Sequence, residues 1–451
     1  MATPARPNIL FSMCDDQRHD CMSCAGHPVI TTPAMDRLAR EGVRFANAFT
    51  AVPLCAPSRA SHLSGVYPHC HGAVHNQAAI DPDLPTWPEQ LQAAGYRTGF
   101  FGKSHFRIAG IDKSGGDPKP GFERWVGFRN QGDYENPVFI IDGKEVQQEG
   151  YNTDLLADHV EQFLAGDDPR PWAICLWYKA PHGPFTPPRR YAGAYDGIKM
   201  PRSPAFDASR DGKTSTLRRR VSGDTDPHRF DPMIRNYLAT LRGVDDALGR
   251  VLHRIDQRGE TDQTLVIHTS DHGFFHGEFG LGDKRWLYDP SIRIPCLLRY
   301  PALIRTPGRV VHELVLSLDL PATIMDLAGL GVPDHYQGLS LRPCLADTGR
   351  LQRDALFIGY FEDVQYAWFP TMVCLRTPGE KLIHYLRPGE EDEFYDLARD
   401  PHELTNVIDD APYADRVAAL RRRLDEARQQ FGFRMPEARA SAAAGGCSLR
   451  P

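Results

Sequence analysis

The sequence predicts an α/β fold: a mostly parallel central sheet sandwiched by helices, followed by a small C-terminal α+β domain. Three observations predict it. Short apolar runs alternate with segments of helical apolar spacing between residues 8 and 331. Those runs have the composition of strands buried on both faces, which a parallel sheet covered by helices requires. Beyond residue 355 the alternation gives way to short strand-like runs and one amphipathic helix.

Residues 8–13, NILFSM, form the first strand. Residues 32–42 follow as a helix, with Pro33 in its first turn and Gly42 at its end. A second helix is expected from Pro57 to Gly65, and a third over 84–96, leading into the strand TGFFG at 98–102. Residues 152–166 have an Asn/Thr cap and apolar spacing of three and four, then the strand WAICLWY at 172–178. The long helical pattern 232–259 leads into the strand TLVIHTS at 264–270. Residues 294–300 and 320–331 repeat the alternation. The segment 199–232 is rich in Pro, Asp, Ser and Arg without periodicity and is expected as a long surface loop. In the C-terminal part, 355–361, 366–377, 380–386 and 392–397 are strand-like, and 414–432 is the amphipathic helix. The expected division is therefore 1–350, 351–435 and a flexible tail 436–451.

Composition limits the functions available. A chain of 451 residues accommodates one large domain and a smaller one, and 41% apolar residues supply a full core. With 52 Lys and Arg against 58 Asp and Glu, the net charge of −6 argues against nucleic acid or an anionic membrane as partner. An anionic substrate must then be held by local charge. The apolar run before Cys14 spans about five residues, short of a secretory core of about 7–15. No stretch approaches the ~18 apolar residues of a membrane span. A cytoplasmic protein is expected; the oligomeric state is not legible. Of ten cysteines, only Cys21 and Cys24 have CxxC spacing, a weak metal or redox signal without a second pair.

In open α/β sheets, ligands bind beyond the carboxyl ends of the strands. Asp15 and Asp16 follow the first strand, Lys103 and His105 follow TGFFG, Lys179 and His182 follow WAICLWY, and Asp271 and His272 follow TLVIHTS. Lys284 comes twelve residues further on, and Cys55 sits where an extended segment enters a helix. Each has an ordinary reading as a turn, cap, solvated or core residue. Gathered on one rim, the carboxylates suit a hard divalent cation and the lysines and histidines suit a tetrahedral oxyanion.

These residues lie in motifs. PNILFSMCDDQRHD, CAPSR, GKSH, KAPHGPF and TSDHGFFHGEFGLGDK, in this order over residues 7–300, resemble the signatures of the type I sulfatases of the alkaline phosphatase superfamily. YDLARDPHELTNVID is similar to that family's C-terminal domain. The resemblance implies a sulfuric ester hydrolase with an alkaline phosphatase-like fold. It implies that Cys55 is oxidised to formylglycine by a separate generating enzyme that reads Pro57, Ser58 and Arg59. Hydrated, that aldehyde is a geminal diol: one oxygen attacks sulfur and expels the alcohol, and the other then loses its proton to eject sulfate and restore the aldehyde. A helix beginning at Pro57 would point free N–H groups at the oxyanion.

The resemblance further implies Asp15, Asp16, Asp271, His272 and the modified Cys55 as ligands of one divalent ion. Calcium is the expected ion, and His272, where many relatives have Asn, leaves magnesium or manganese open. Arg59 and Lys103 would hold the diol and its charge, and His105 would take the proton in the release step. His182 and Lys284 would bind sulfate oxygens and help protonate the leaving oxygen. His276 is either a substrate contact or a neutral replacement. Residues 282–301 are similar to the branch of glycosaminoglycan and glucosamine-6-sulfate sulfatases, which suggests a small sulfated sugar, with an aryl or alkyl sulfate as the other class. Arg218, Arg219 and Arg220 either contact such an anion or are solvated. The rival reading is a phosphonate monoester or phosphodiester hydrolase of the same superfamily; Asp15 with Asp16, and Lys103 with His105, favour the sulfatase.

Overall fold

The computed structural model describes residues 6–110, 116–206, 208–219 and 227–435. The expected tail 436–451 and Arg220 lie outside the described residues.

The central sheet has ten strands: β1 (Asn8–Cys14), β2 (Val43–Phe49), β3 (Arg97–Gly102), β4 (Arg124–Gly127), β5 (Val138–Ile141), β6 (Lys144–Gln147), β7 (Trp172–Trp177), β8 (Thr264–Ser270), β9 (Cys296–Arg299) and β10 (Arg309–Leu316). Their order is β10-β2-β9-β8-β1-β7-β3-β4-β5-β6. The run β8-β1-β7-β3-β4 is parallel throughout. β9 pairs antiparallel with both β8 and β2, and β5 pairs antiparallel with β4 and β6. The hairpin β5–β6, the strand β4, the edge strand β10 and its neighbour β2 add to the strands read from the sequence.

Every residue of β1, β7 and β8 is buried, because apolar layers cover both faces of the sheet. Ile9, Phe11 and Met13 turn toward one layer and Leu10 and Cys14 toward the other, as the two-residue strand period dictates. The first layer holds α2 (Cys55–Ser64), α3 (Trp87–Ala93) and α7 (Asp319–Leu327); the second holds α1 (Pro33–Glu41), α4 (Asn152–Phe163) and α6 (Pro227–Gln257). A short helix, α5 (Ser215–Arg219), precedes α6.

Three boundaries depart from expectation. α2 starts at Cys55, two residues before Pro57, because Pro57 fits inside a first turn where its missing N–H has no role. The N-cap of α4 is Tyr151, without a side-chain cap. α6 starts five residues before Pro232. The described part of the expected surface loop 199–232 is anchored at several positions: Phe206, Lys213, Thr214 and Leu217 are buried.

The C-terminal part is an antiparallel sheet of β11 (Leu356–Tyr360), β12 (Met372–Arg376), β13 (Glu380–Tyr385) and β14 (Glu393–Asp396), packed on α8 (Ala414–Gln430). A third apolar cluster joins it to the large body, placing Phe49, Leu54, Tyr67 and Phe275 with Phe357, Tyr385 and Leu420. Docking of the 203–219 segment follows from charge. Lys213 donates to the Tyr395 hydroxyl at 2.7 Å, and the amides of Thr214, Ser215 and Thr216 are taken by Glu393, Glu391 and Glu390. Arg218 pairs with Glu391 at 2.8 Å, so it serves this contact, and Arg219 is exposed.

Candidate active site

Strand-end hydrogen bonds align the site. The Asp271 amide donates to Cys14 O at 3.2 Å, the Asp15 amide to Ala180 O at 3.2 Å, and the Lys103 amide to Trp177 O at 2.7 Å. These bonds stack the carboxyl ends of β8, β1, β7 and β3 side by side. Gly102 permits the last of them: its φ is +123°, and a Cβ there would lie 1.8 Å from Trp177 O. Asp16 (φ 74°) and His105 (φ 65°) adopt left-handed backbone conformations that cost non-glycine residues energy, and both face this rim. The Tyr237 hydroxyl, from α6, holds the Asp16 turn by donating to Asp16 O at 2.8 Å and accepting the Arg18 amide at 2.9 Å.

Cys55 is the first residue of α2 and is 1% exposed. Its sulfur lies 3.3 Å from His272 Nε2 and 3.6 Å from Asp15 Oδ1, and His105 hydrogen-bonds it. Burial opposes ionisation of this thiol, yet Lys284, Lys103, His272 and His105 outweigh it and hold it well below its ordinary value. The amides expected to face an oxyanion are otherwise engaged. Ala56 N–H donates to Asn76 Oδ1 at 3.1 Å, Pro57 has none, and Ser58 N–H returns to Leu54 O.

Arg59 is fully buried and binds two carboxylates. Its Nε donates to Asp271 Oδ2 at 2.9 Å and its Nη2 to Asp15 Oδ2 at 3.1 Å; Lys103 O and Tyr178 O accept the remainder. The Lys103 ammonium reaches Asp15 and Gln131, and Lys284 reaches Asp16 Oδ1 at 2.9 Å. His182 donates from Nδ1 to Gly183 O, leaving Nε2 3.9 Å from Asp16 Oδ2. All the site residues expected from the sequence thus gather in one cluster. His276 stands apart, edge-on to Tyr237 at 4.6 Å between ring centroids. Asn76, Gln131 and Tyr237 were not anticipated; each reaches the site through tertiary approach, with no pattern in its own neighbourhood.

The donor set fits a divalent cation. Ligand atoms of Asp15, Cys55, Asp271 and His272 lie within 4.8 Å of one another, as do those of Asp15, Asp16 and His182. Asp16 Oδ2 is buried with no hydrogen-bond partner. Burial and the neighbouring Asp15 push the Asp271 carboxyl up, a repulsion that a cation relieves.

A doubly covered, mostly parallel sheet with carboxylates, lysines and a buried cysteine on its carboxyl rim defines a hydrolase of alkaline phosphatase-like architecture whose donor set fits a divalent cation. The family model Sulfatase matches residues 7–330, and the model N-sulphoglucosamine sulphohydrolase, C-terminal, matches 277–430. The chain belongs to the sulfatase family and is a sulfuric ester hydrolase. The N-acetylglucosamine-6-O-sulfatase of Bacteroides thetaiotaomicron is 31% identical, over 96% of this chain and 88% of that protein. Human N-acetylglucosamine-6-sulfatase is 29% identical over 89% and 81%. A solved structure in complex with its substrate D-glucosamine-2-N,6-O-disulfate superposes with a TM-score of 0.88 at 31% identity, covering 95% of this chain and 98% of that one. The phosphonate monoester hydrolase of Agrobacterium radiobacter reaches a TM-score of 0.79 at 25% identity, over 94% and 96%.

Proposed function

We propose that this chain removes sulfate from a sulfated amino sugar, through a formylglycine made from Cys55 and one divalent ion, with calcium the expected metal. The observation that carries the reading is Cys55 itself: a buried sulfur touching Asp15, His272 and His105 at the first residue of α2. The sugar assignment is supported by the relatives that act on N-acetylglucosamine 6-sulfate and by the glucosamine disulfate complex.

The modified side chain supplies a nucleophilic hydroxyl and a second one whose deprotonation ejects sulfate. Asp15, Asp16, Asp271, His272 and the modified residue 55 would hold the ion, which would supply Lewis acidity toward the sulfate. Arg59 holds Asp15 and Asp271 in a fixed fork and keeps their mutual repulsion in check. Lys103 and Lys284 place positive charge near residue 55. His105 is pushed down to about 4 by burial and Lys103, so it stays neutral and can accept a proton at neutral pH. His182, its Nδ1–H fixed by Gly183 O, presents Nε2 as the group that meets the leaving oxygen.

A screen of sulfated mono- and disaccharides, with inorganic sulfate as readout and mass spectrometry of the peptide containing Cys55, tests the reading. Turnover should follow the aldehyde content and be highest on glucosamine 6-sulfates. Full activity from protein whose Cys55 is entirely a thiol would overturn the mechanism, and preference for an aryl sulfate over every sugar would overturn the substrate class. Phosphonate monoesters belong in the same screen, because a phosphonate hydrolase shares the fold.

A further inference from the structure

Lys179 is a buried cation that the mechanism above leaves without a role. It stands two residues beyond β7, between the strand ends that bear Asp15 and Lys103, and is 2% exposed. Among the described residues its ammonium has no carboxylate oxygen within 4.0 Å. Its contacts are a long bond to Gly183 O at 3.4 Å and the face of the Tyr134 ring at 4.8 Å. Asp15, Asp16 and Asp133 act on it from further away, and Lys103 is a like charge nearby. Every other ammonium of the cluster is anchored: Lys103 on Asp15 and Gln131, Lys284 on Asp16. A buried ammonium without a paired anion is unfavourable unless a ligand completes its shell.

The neighbours of Lys179 indicate where that ligand sits. His182 Nδ1 and Lys179 Nζ share the Gly183 carbonyl oxygen, at 2.9 and 3.4 Å. The Tyr134 hydroxyl donates to His182 O at 2.5 Å while its ring underlies Lys179. The ammonium is therefore fixed beside the histidine that meets the leaving oxygen. We propose that Lys179 is a further sulfate-binding residue, its ammonium taking an oxygen of the substrate's sulfate alongside Lys103 and His182. This rests on the sulfatase reading of the site. In the bound state the sulfate supplies the anion that the protein withholds, so the residue discriminates sulfate-bearing sites from empty ones.

The test uses the purified enzyme and its Lys179→Met, Lys179→Gln and Lys179→Arg variants. KM for one aryl sulfate and the inhibition constant of inorganic sulfate are measured for each, with sulfate binding followed in parallel by calorimetry. Loss of a charged contact to the anion should raise both constants about tenfold or more in the Met and Gln variants, and Arg should stay within about threefold of wild type. Gln can still donate to Gly183 O, so a Gln variant restored to wild-type values would make Lys179 a positioning residue for His182 and overturn the proposal. Unchanged sulfate affinity in folded Met or Gln variants would overturn it too. If Met does not fold, the Gln and Arg pair decides. A wild-type enzyme that hydrolyses no sulfate ester would refute the catalytic reading separately, since calorimetry with inorganic sulfate still decides on Lys179.

Discussion

At the scale of single residues, the site is organised by a guanidinium whose hydrogen bonds go to carboxylates and carbonyls. Arg59 spends its donors on Asp15, Asp271 and two carbonyls, so its work is to keep two like charges at fixed spacing. Lysine has the charge but not the fork. Arg59→Lys should therefore weaken divalent-ion affinity about 10–100-fold, the usual cost of losing a partner that orients ligands. Activity titrated against free calcium, with elemental analysis after desalting, checks this; an unchanged midpoint would show that the carboxylates need no clamp. His182 gives a second prediction. A sugar alkoxide needs a proton as it departs and an activated phenoxide does not, so His182→Ala should depress kcat more on a sugar sulfate than on an aryl sulfate. An equal loss on both would make His182 a binding group. The residue types were legible because motifs preserve them in order along the chain. The partners Gln131, Asn76 and Tyr237 were not, because loops and a distant helix deliver them.

Among the elements, those read most fully from the sequence were β1, β7 and β8, whose unbroken apolar runs reflect burial on both faces. The edge region was read least well: β2 and β10 have charged residues at half-exposed positions, and VRFANAF and RVVHELVL lack a continuous apolar signal. β8 also holds a polar residue with a pH consequence. His268 is fully buried, with Nδ1 3.0 Å from Ser12 Oγ and Nε2 3.0 Å from Gln17 Oε1, and burial pushes it down to about 3. An unfolded histidine titrates near 6.5, so between these values the unfolded chain binds the extra proton. Stability from the neutral ring is thus complete above about pH 6.5 and is lost as the pH falls toward 3, about 2 kcal/mol of it by pH 5. Denaturant midpoints at pH 7 and 5 should fall in that direction, and His268→Gln should show a smaller fall; an identical difference in both proteins would remove His268 as a cause. α2 adds a constraint on the proposed conversion of Cys55. All ten of its residues are buried, so a modifying enzyme cannot reach Cys55 in the folded chain. Incubating folded, unmodified protein with a formylglycine-generating enzyme should yield no aldehyde by mass spectrometry, whereas the unfolded chain should be converted.

For the whole molecule, the sequence suggested a boundary at residue 350, and the C-terminal antiparallel sheet begins at Leu356. What composition could not reveal is how firmly that sheet is joined to the large body. The joint has two layers. The apolar one unites Phe49, Leu54, Tyr67 and Leu316 with Phe357, Tyr385 and Leu420. The charged one is buried: Lys381 Nζ contacts Asp289 at 2.5 Å and Glu403 at 2.6 Å, Arg376 contacts Asp289 at 3.2 Å, and Glu393 accepts the hydroxyls of Tyr288, Tyr385 and Tyr395. Asp289 follows five residues after Lys284 in the chain, so a short segment links the joint to the lysine that contacts Asp16. Lys381→Met leaves the buried Glu403 without its cation and Asp289 with Arg376 alone, and removing one partner of a buried pair costs about 3–5 kcal/mol. The variant should unfold at markedly lower denaturant, with the large body and the C-terminal sheet lost in one transition because neither retains its core without the other. A chain ending at residue 350 should fail to fold, since it exposes the apolar face that β11 to β14 cover. Calorimetry of the full chain together with circular dichroism of the shortened one decides the matter. Two separate transitions, or a folded 1–350 fragment, would show that the two parts are independent and that the catalytic rim does not depend on the joint behind it.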